Sequence, residues 1–178
     1  MIKMIKEQAL KRLDLSRAVG LTSLCCLAVF LPFAIHIQWI TGPVINAIFI
    51  LTLLLFGIKK AVVIALVPSL VALSGGLLPP VLAPVVPFIM LANIIFIFTI
   101  DFFYNRIENP QLAYWSGAFL ASGLKFLFLY SSVIWIQGLL IQEGLASQVA
   151  QMMSWPQFFT AIIGSFIAWS VLKALNKI

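Results

Sequence analysis

The sequence predicts an all-α integral membrane protein, a six-helix transmembrane bundle with both termini in the cytoplasm. Composition is the first observation behind this prediction: 63% of the 178 residues are hydrophobic and 9% are charged. The mean hydropathy is +1.14, whereas a soluble domain is about 45–50% apolar and about a quarter charged. Because so few polar residues cannot cover a core of this size, the bilayer must solvate most of the chain.

The second observation is six apolar stretches that approach the length of a membrane span. A helix needs about twenty apolar residues to cross about 30 Å of hydrocarbon. Thr41-Gly42-Pro43 turns the chain after the first stretch, and the run SGGLLPPVLAPVVP excludes a regular α-helix before the fourth. We place the spans at about residues 18–39, 43–58, 60–77, 87–104, 111–138 and 156–174.

The third observation is the position of the basic residues, which tests the number of spans independently. The outer connections, around residues 38–43, 77–86 and 139–155, contain no Lys or Arg. Cytoplasmic loops carry an excess of these residues. If the chain crosses six times with its N-terminus inside, every base except Lys125 lies on the cytoplasmic side, as this rule requires. These bases are Lys3, Lys6, Lys11, Arg12, Arg17, Lys59, Lys60, Arg106, Lys173 and Lys177.

Residues 1–17 are predicted to be a short cytoplasmic amphipathic helix, and residues 18–178 the six-span membrane domain. Apolar and basic residues share the first segment at roughly helical spacing, which suits a helix lying on an anionic leaflet. The alternative, that this segment is a helical extension surrounded by water, stays open. The segment is too charged for a cleavable signal peptide. The net charge of +6 is interpreted as an orientation signal, so no nucleic-acid partner is expected.

Lys125 is the polar residue that the bilayer penalises most, because it lies near the middle of the fifth span. A central Lys costs about 2.5–3.5 kcal/mol on insertion scales, and such residues usually face a partner or a wet cavity. We favour a cation that faces an anionic or carbonyl-bearing ligand. Pairing with Asp101 or with backbone carbonyls is the alternative, although Asp101 lies about 10 Å or more from that depth by helical rise.

Further polar and aromatic residues fall in the outer half of the predicted bundle and suggest a pocket that opens outward. An Asn in a span is as often a helix–helix hydrogen bond as a ligand contact, and Trp residues are frequent at membrane interfaces. The prediction of a pocket depends on the similar depth of these residues in the bilayer, and not on any one of them alone. The candidate substrate-binding residues are Lys125, Asn93, Asn46, His36, Gln38, Ser122, Trp135 and Trp155.

No catalytic, metal or cofactor site is predicted. The sequence has neither a P-loop nor an HExxH motif, and its one His cannot build a His-rich metal site. Cys25 and Cys26 are adjacent, so they cannot form an ordinary disulfide and lack metal-site spacing. An enzyme is therefore not expected.

Residues 18–174 resemble the substrate-binding S component of energy-coupling factor transporters. The resemblance is carried by six spans in under 200 residues, a short basic N-terminal helix, and two stretches: ITGPVINAIFILTLLLFGIKKAVVIALVPSLVALSGGLLPPVLAPVVPFIMLAN and LKFLFLY. It implies capture of a vitamin-like solute or a metal at the cell membrane of a prokaryote. It also implies a transmembrane coupling protein and two cytoplasmic ABC ATPases as partners.

The resemblance also bears on docking and on the solute. Family members dock through an Ala-xxx-Ala stripe on the first span, to which Ala18, Thr22 and Cys26 correspond here. Members that bind nickel or cobalt use an N-terminal His motif that this sequence lacks, so an organic solute is expected. Two other functions stay open: a self-sufficient secondary carrier or channel, and a non-transporting assembly subunit of a membrane complex.

Overall fold

Six long α-helices make up most of the computed structural model, which describes residues 2–35, 37–76, 80–137 and 150–178. Of residues 2–14, 80–82 and 134–137 only the backbone is described, and the described ranges contain no strand. A 3-10 helix, Pro80–Val85, precedes the fourth α-helix. The α-helices are α1 Ile2–Ala34, α2 Gln38–Phe56, α3 Ile58–Ser74, α4 Val86–Arg106, α5 Pro110–Gln137 and α6 Trp155–Ala174.

Five of these helices are long and apolar enough to span a membrane. The exception is α3, whose 17 residues rise about 25 Å, short of the hydrocarbon thickness of about 30 Å. The chain is therefore an all-α bundle with the helices of a multi-pass membrane protein. Six crossings and the side on which the termini lie stay predictions. The candidate segments are Leu15–Ala34, Gln38–Phe56, Ala83–Arg106, Pro110–Val133 and Ala150–Ala174.

The first helix is continuous through the boundary that the sequence suggested at residue 17. Helix α1 runs for 33 residues from Ile2 to Ala34, so the amphipathic segment and the first apolar stretch are one element. Among its described side chains Ala28 alone is buried. Helix α1 therefore lies at the edge of the bundle, where it packs on α2 and α3.

Helix α2 lies at the centre of the bundle and contacts α1, α3, α4 and α6. Residues 46–53 of this helix are all buried, which is expected of a helix that is apolar around its whole circumference. Phe49 packs in the same core as Phe96 of α4 and Tyr114 of α5. The core is therefore built on α2, with the other helices arranged around it.

The connections between neighbouring helices are short where both ends are described. Gly57 alone joins α2 to α3, with φ of +90°, a backbone conformation that glycine adopts without steric cost. Residues 107–109 join α4 to α5. Since short connections make consecutive helices antiparallel neighbours, α2 runs antiparallel to α3, and α4 runs antiparallel to α5.

Helices α2 and α6 approach closely through glycines. A Cβ at Gly164 of α6 would lie 2.6 Å from the Pro43 carbonyl oxygen and 2.7 Å from the Asn46 Cβ on α2. A Cβ at Gly42 would lie 2.9 Å from the Thr160 Cβ. Small residues permit such contacts, which supply much of helix association in lipid. The position of Asn46 therefore depends on the absence of a side chain at residue 164.

Removal of one interhelical hydrogen bond gives a modest prediction about this packing. The buried Tyr114 hydroxyl of α5 donates to the Ser165 carbonyl of α6. Interhelical hydrogen bonds in membrane proteins average about 0.6 kcal/mol and reach about 1.7 kcal/mol, so Tyr114→Phe should lower the melting temperature by about 1–7 °C. Tyr130→Phe, at an exposed position on α5, should leave it unchanged. Equal melting temperatures for the two variants would contradict a stabilising role for this bond.

Candidate functional site

A cavity of about 320 Å³ lies at one end of the bundle. Its wall is formed by the end of α1, the first turns of α2, α4 and α6, the second half of α3, and the middle of α5. The volume lies within the range of about 300–1,000 Å³ for sites that bind small molecules. The lining residues are Pro32, Ile35, Gln38, Thr41, Gly42, Ile45, Asn46, Pro68, Ser69, Ala72, Ile89, Asn93, Lys125, Met152 and Gln157.

Lys125 provides the only basic side chain among the described wall residues. It is 3% exposed, and its Nζ donates to Oδ1 of Asn46 at 2.7 Å. The same nitrogen lies 5.3 Å from the centroid of the Phe96 ring, within range of a cation–π interaction. No Asp or Glu occurs among the described wall residues. The ammonium group therefore has a neutral acceptor and an aromatic face beside it, but no described counter-ion.

Asn46 is oriented by its own helix toward Lys125. Its Nδ2 donates to the Gly42 carbonyl one turn earlier in α2, at 2.9 Å. Because an ammonium group only donates hydrogen bonds, the amide oxygen must be the atom that faces Lys125. An ammonium group carries three N–H donors, and Asn46 accepts one. Among the residues that the structure describes, no other acceptor is hydrogen-bonded to this group, so its other donors can serve a bound molecule that carries acceptor oxygens.

A second polar patch comes from α3 and α4. Asn93 of α4 donates from Nδ2 to the Ala65 carbonyl of α3 at 3.3 Å. Helical serines commonly donate to the carbonyl four residues earlier, and for Ser69 that carbonyl belongs to Ala65. Ser69 makes no hydrogen bond to the described residues. Its hydroxyl is therefore a further donor on the cavity wall, beside Pro68, which has no N–H group.

Two glutamines form the rim at the starts of α2 and α6. Gln38 and Gln157 both donate from Nε2 to the Met152 carbonyl, at 3.1 and 3.0 Å. Both side chains are partly exposed. The rim therefore places amide groups near the entrance, while Lys125, the one charged side chain among the described wall residues, lies deeper.

The structure brings four of the predicted site residues to this cavity: Lys125, Asn46, Asn93 and Gln38. Two others lie elsewhere. Ser122 is buried and donates to the Ala118 carbonyl of its own helix at 2.7 Å, away from the lining residues. Trp155 is 62% exposed and stacks on Phe126, with ring centroids 4.8 Å apart. His36 and the Trp135 side chain lie outside the described residues.

Several wall residues were not predicted from the sequence, notably Ser69 and Gln157. One signal could have indicated the first. A proline inside a span frees a backbone carbonyl, and such breaks are tolerated where they are buried in protein or line a cavity. Pro68 within the third span therefore marked its neighbour Ser69 as a wall candidate. Gln157 is an interfacial polar residue with no comparable signal.

The predicted docking residues Ala18, Thr22 and Cys26 are exposed on α1. Cys25 and Cys26 are free thiols. Within the described ranges, no three His, Cys, Asp or Glu side chains converge in a way that could hold a metal ion. Docking through Ala18, Thr22 and Cys26 stays a prediction.

The chain matches no protein-family model, no curated protein and no solved structure.

Proposed function

We propose that the chain is a membrane-embedded protein that captures a small organic solute carrying one acidic group. The observation that carries this proposal is the buried Lys125 ammonium on the wall of a cavity with no Asp or Glu among its described lining residues. A buried charge without a counter-ion is costly. A bound carboxylate or similar anion would supply that counter-ion and accept the free N–H groups.

The rest of the wall favours an apolar body on the solute. Apart from Lys125, Gly42, four amide side chains and two hydroxyl side chains, the wall consists of aliphatic, proline and methionine side chains, among them Ile45, Ile89 and Met152. Ligand sites are commonly apolar, with a few polar groups that fix orientation. A vitamin-like molecule with an acid at one end and an apolar ring or chain at the other fits this division.

The proposed solute enters from outside the cell. The cavity wall uses the end of α1 and the starts of α2 and α6. The basic residues Lys59, Arg106 and Lys173 instead lie at the start of α3 and the ends of α4 and α6, which is the opposite end of the bundle. With six crossings and the basic end in the cytoplasm, the cavity faces outward in the cell membrane.

Uptake coupled to ATP hydrolysis is the part of the proposal that rests on the resemblance to S components. In this scheme a transmembrane coupling protein and two cytoplasmic ABC ATPases supply the energy, and this chain supplies the binding site. Co-purification with such an ATPase pair, together with no solute flux through liposomes that contain this chain alone, is the expected result. Flux through the chain alone would favour a secondary carrier or channel.

The direct test is to identify what the cavity binds. Purified protein in lipid nanodiscs is denatured, the released small molecules are identified by mass spectrometry, and their binding is measured by titration calorimetry. We expect a monocarboxylate or related monoanion. Its neutral amide analogue should bind about tenfold or more weakly, since a hydrogen bond to a charged group contributes about 1.5–3 kcal/mol. Equal affinity for acid and amide would contradict the assignment of Lys125 to the acidic group.

Asn46→Asp should block the site from within. The new carboxylate would lie at hydrogen-bond distance from the Lys125 ammonium and would replace the solute as its counter-ion. We expect affinity for the anionic solute to fall at least tenfold in calorimetry, because two carboxylates would compete for one cation and repel each other. Asn105→Asp makes the same change at an exposed position on α4 and should bind normally. Unchanged affinity in Asn46→Asp would remove the Lys125–Asn46 pair from the site.

A further inference from the structure

A second depression in the surface lies between α1 and α3, near the start of α3, and we call it the α1–α3 groove. Its volume is about 500 Å³. Most of its lining is apolar, and the charged residues are two consecutive lysines in the first turn of α3. The groove is lined by Leu21, Thr22, Cys25, Cys26, Lys59, Lys60, Val63 and Ile64. It shares no residue with the solute cavity.

The groove opens to the side of the bundle, where the acyl chains of the bilayer lie. Its floor is Ile64, which is buried, with Leu21 and Cys25 partly buried against the core. Its outer edges are exposed: Val63 is 62% exposed, and Cys26 is exposed on α1. In the described ranges α1 packs on α2 and α3, which leaves the exposed edges of the groove to the surrounding acyl chains.

Positive charge is concentrated at one end of the groove. Lys59 and Lys60 are exposed, and the Lys60 ammonium lies 5.8 Å from the centroid of the Phe56 ring. No Asp or Glu occurs among the described residues that line the groove. Arg17 lies four residues before Leu21 on α1, a spacing that puts both on one face of a helix. Lys59 and Lys60 therefore lie at the end at which the chain would meet the cytoplasmic lipid headgroups, and Arg17 lies one helical turn beyond Leu21 on the neighbouring helix.

We propose that the α1–α3 groove binds one anionic phospholipid. Lys59 and Lys60 hold the headgroup phosphate, and an acyl chain lies along Leu21, Cys25 and Val63. Basic pockets between membrane helices on the cytoplasmic side bind anionic lipid headgroups in this way. The groove is apolar where the acyl chain would lie and basic where the phosphate would lie, which is the order of these groups along a phospholipid.

The two lysines favour a phospholipid over a helix of a partner protein as the occupant of the groove. A membrane helix associates through packed small and apolar side chains, which would leave Lys59 and Lys60 without an anion. A phospholipid supplies both an apolar chain for the lining and a phosphate for the lysines. Thr22 and Cys26, which the sequence predicts to dock a partner, would accordingly contact lipid.

Native mass spectrometry of the full chain from nanodiscs tests this proposal. The nanodiscs contain equal amounts of phosphatidylglycerol and phosphatidylcholine. We expect one phosphatidylglycerol to be retained per chain, in preference to phosphatidylcholine. The double variant Lys59→Gln/Lys60→Gln should retain it about tenfold or more weakly, because each Lys near the surface attracts anionic lipid. Inorganic phosphate should not displace the lipid, since the acyl chain contributes to binding.

Two further variants separate the groove from general charge effects. Lys173→Gln/Lys177→Gln removes the same charge from the end of α6, outside the groove, and should retain the lipid. Val63→Trp fills the groove from an exposed position and should lose it, with an unchanged melting temperature. Equal retention by the Lys59/Lys60 variant and the Lys173/Lys177 control, or equal retention of phosphatidylcholine, would overturn the proposal. These measurements do not involve the solute, so they stand or fall separately from the proposed function.

Discussion

Replacement of Lys125 by methionine is expected to abolish binding of the anionic solute while the bundle stays folded. Removal of one partner from a buried, hydrogen-bonded charge pair costs about 2–5 kcal/mol, which corresponds to a loss of affinity of roughly 30-fold to several thousand-fold. Titration calorimetry with the solute recovered from the wild-type protein measures this loss. In the proposed site no other described wall residue could replace the ammonium group.

The folded state should tolerate this change for two physical reasons. Methionine is unbranched and adapts to irregular space, and removal of a buried charge removes its desolvation cost. Asn46 loses a donor, but its amide lines the cavity, where water can take the place of the ammonium. We therefore expect the melting temperature to stay the same or to rise.

Lys173→Met is the matched control for Lys125→Met, because it removes an exposed lysine at the end of α6. It should bind the solute with wild-type affinity. Wild-type affinity in Lys125→Met itself would show that the ammonium does not contact the solute. Lys125 would then have to be interpreted as a structural partner of Asn46.

The largest effect on stability is expected from Gly164→Val. Even the first atom of the new side chain would lie 2.6 Å from the Pro43 carbonyl oxygen and 2.7 Å from the Asn46 Cβ. Overpacking costs about 1–3 kcal/mol, and we expect the upper end because one of the two obstructing atoms belongs to the backbone. For a chain of this size about 3 kcal/mol corresponds to a fall in melting temperature of about 6–12 °C.

The same substitution should also weaken solute binding, because α2 must move and Asn46 moves with it. Gly123→Val on α5 is the control, since a Cβ at that position meets nothing within 4 Å. It should change neither the melting temperature nor the affinity. If Gly164→Val were as stable as Gly123→Val, the close contact between α2 and α6 would be excluded.

The helices were predictable from the sequence because hydropathy is a local property that adds up along the chain. The predicted second span, residues 43–58, overlaps α2 Gln38–Phe56, and the predicted fourth span, residues 87–104, lies within α4 Val86–Arg106. The ends agree less well where a boundary depends on side-chain context. The predicted turn at Thr41-Gly42-Pro43 was wrong, because α1 ends at Ala34 and α2 begins at Gln38, so these three residues lie inside α2. At residue 17 the change from basic to apolar residues is sharp in the sequence, and the backbone of α1 continues across it.

The candidate site was predictable in part. The cost of a buried cation in lipid is sufficient to identify Lys125 as exceptional, and depth along the span is sufficient to group it with Asn46 and Asn93. Depth does not give the direction in which a side chain points. Ser122 is three residues from Lys125 and near its face, but its hydroxyl donates to its own helix.

By itself, the sequence determined that this chain is helical, apolar and asymmetric in charge, with one cation far from the others. Only the tertiary structure decided that Lys125 meets Asn46, 79 residues away along the chain, and that Ser69 and Gln157 join the same wall. The reason is that α2 is apolar on every side, so no hydrophobic stripe indicates how it is rotated. Its rotation is set by packing against neighbours, here by Gly164, whose missing side chain lets α6 lie against Asn46.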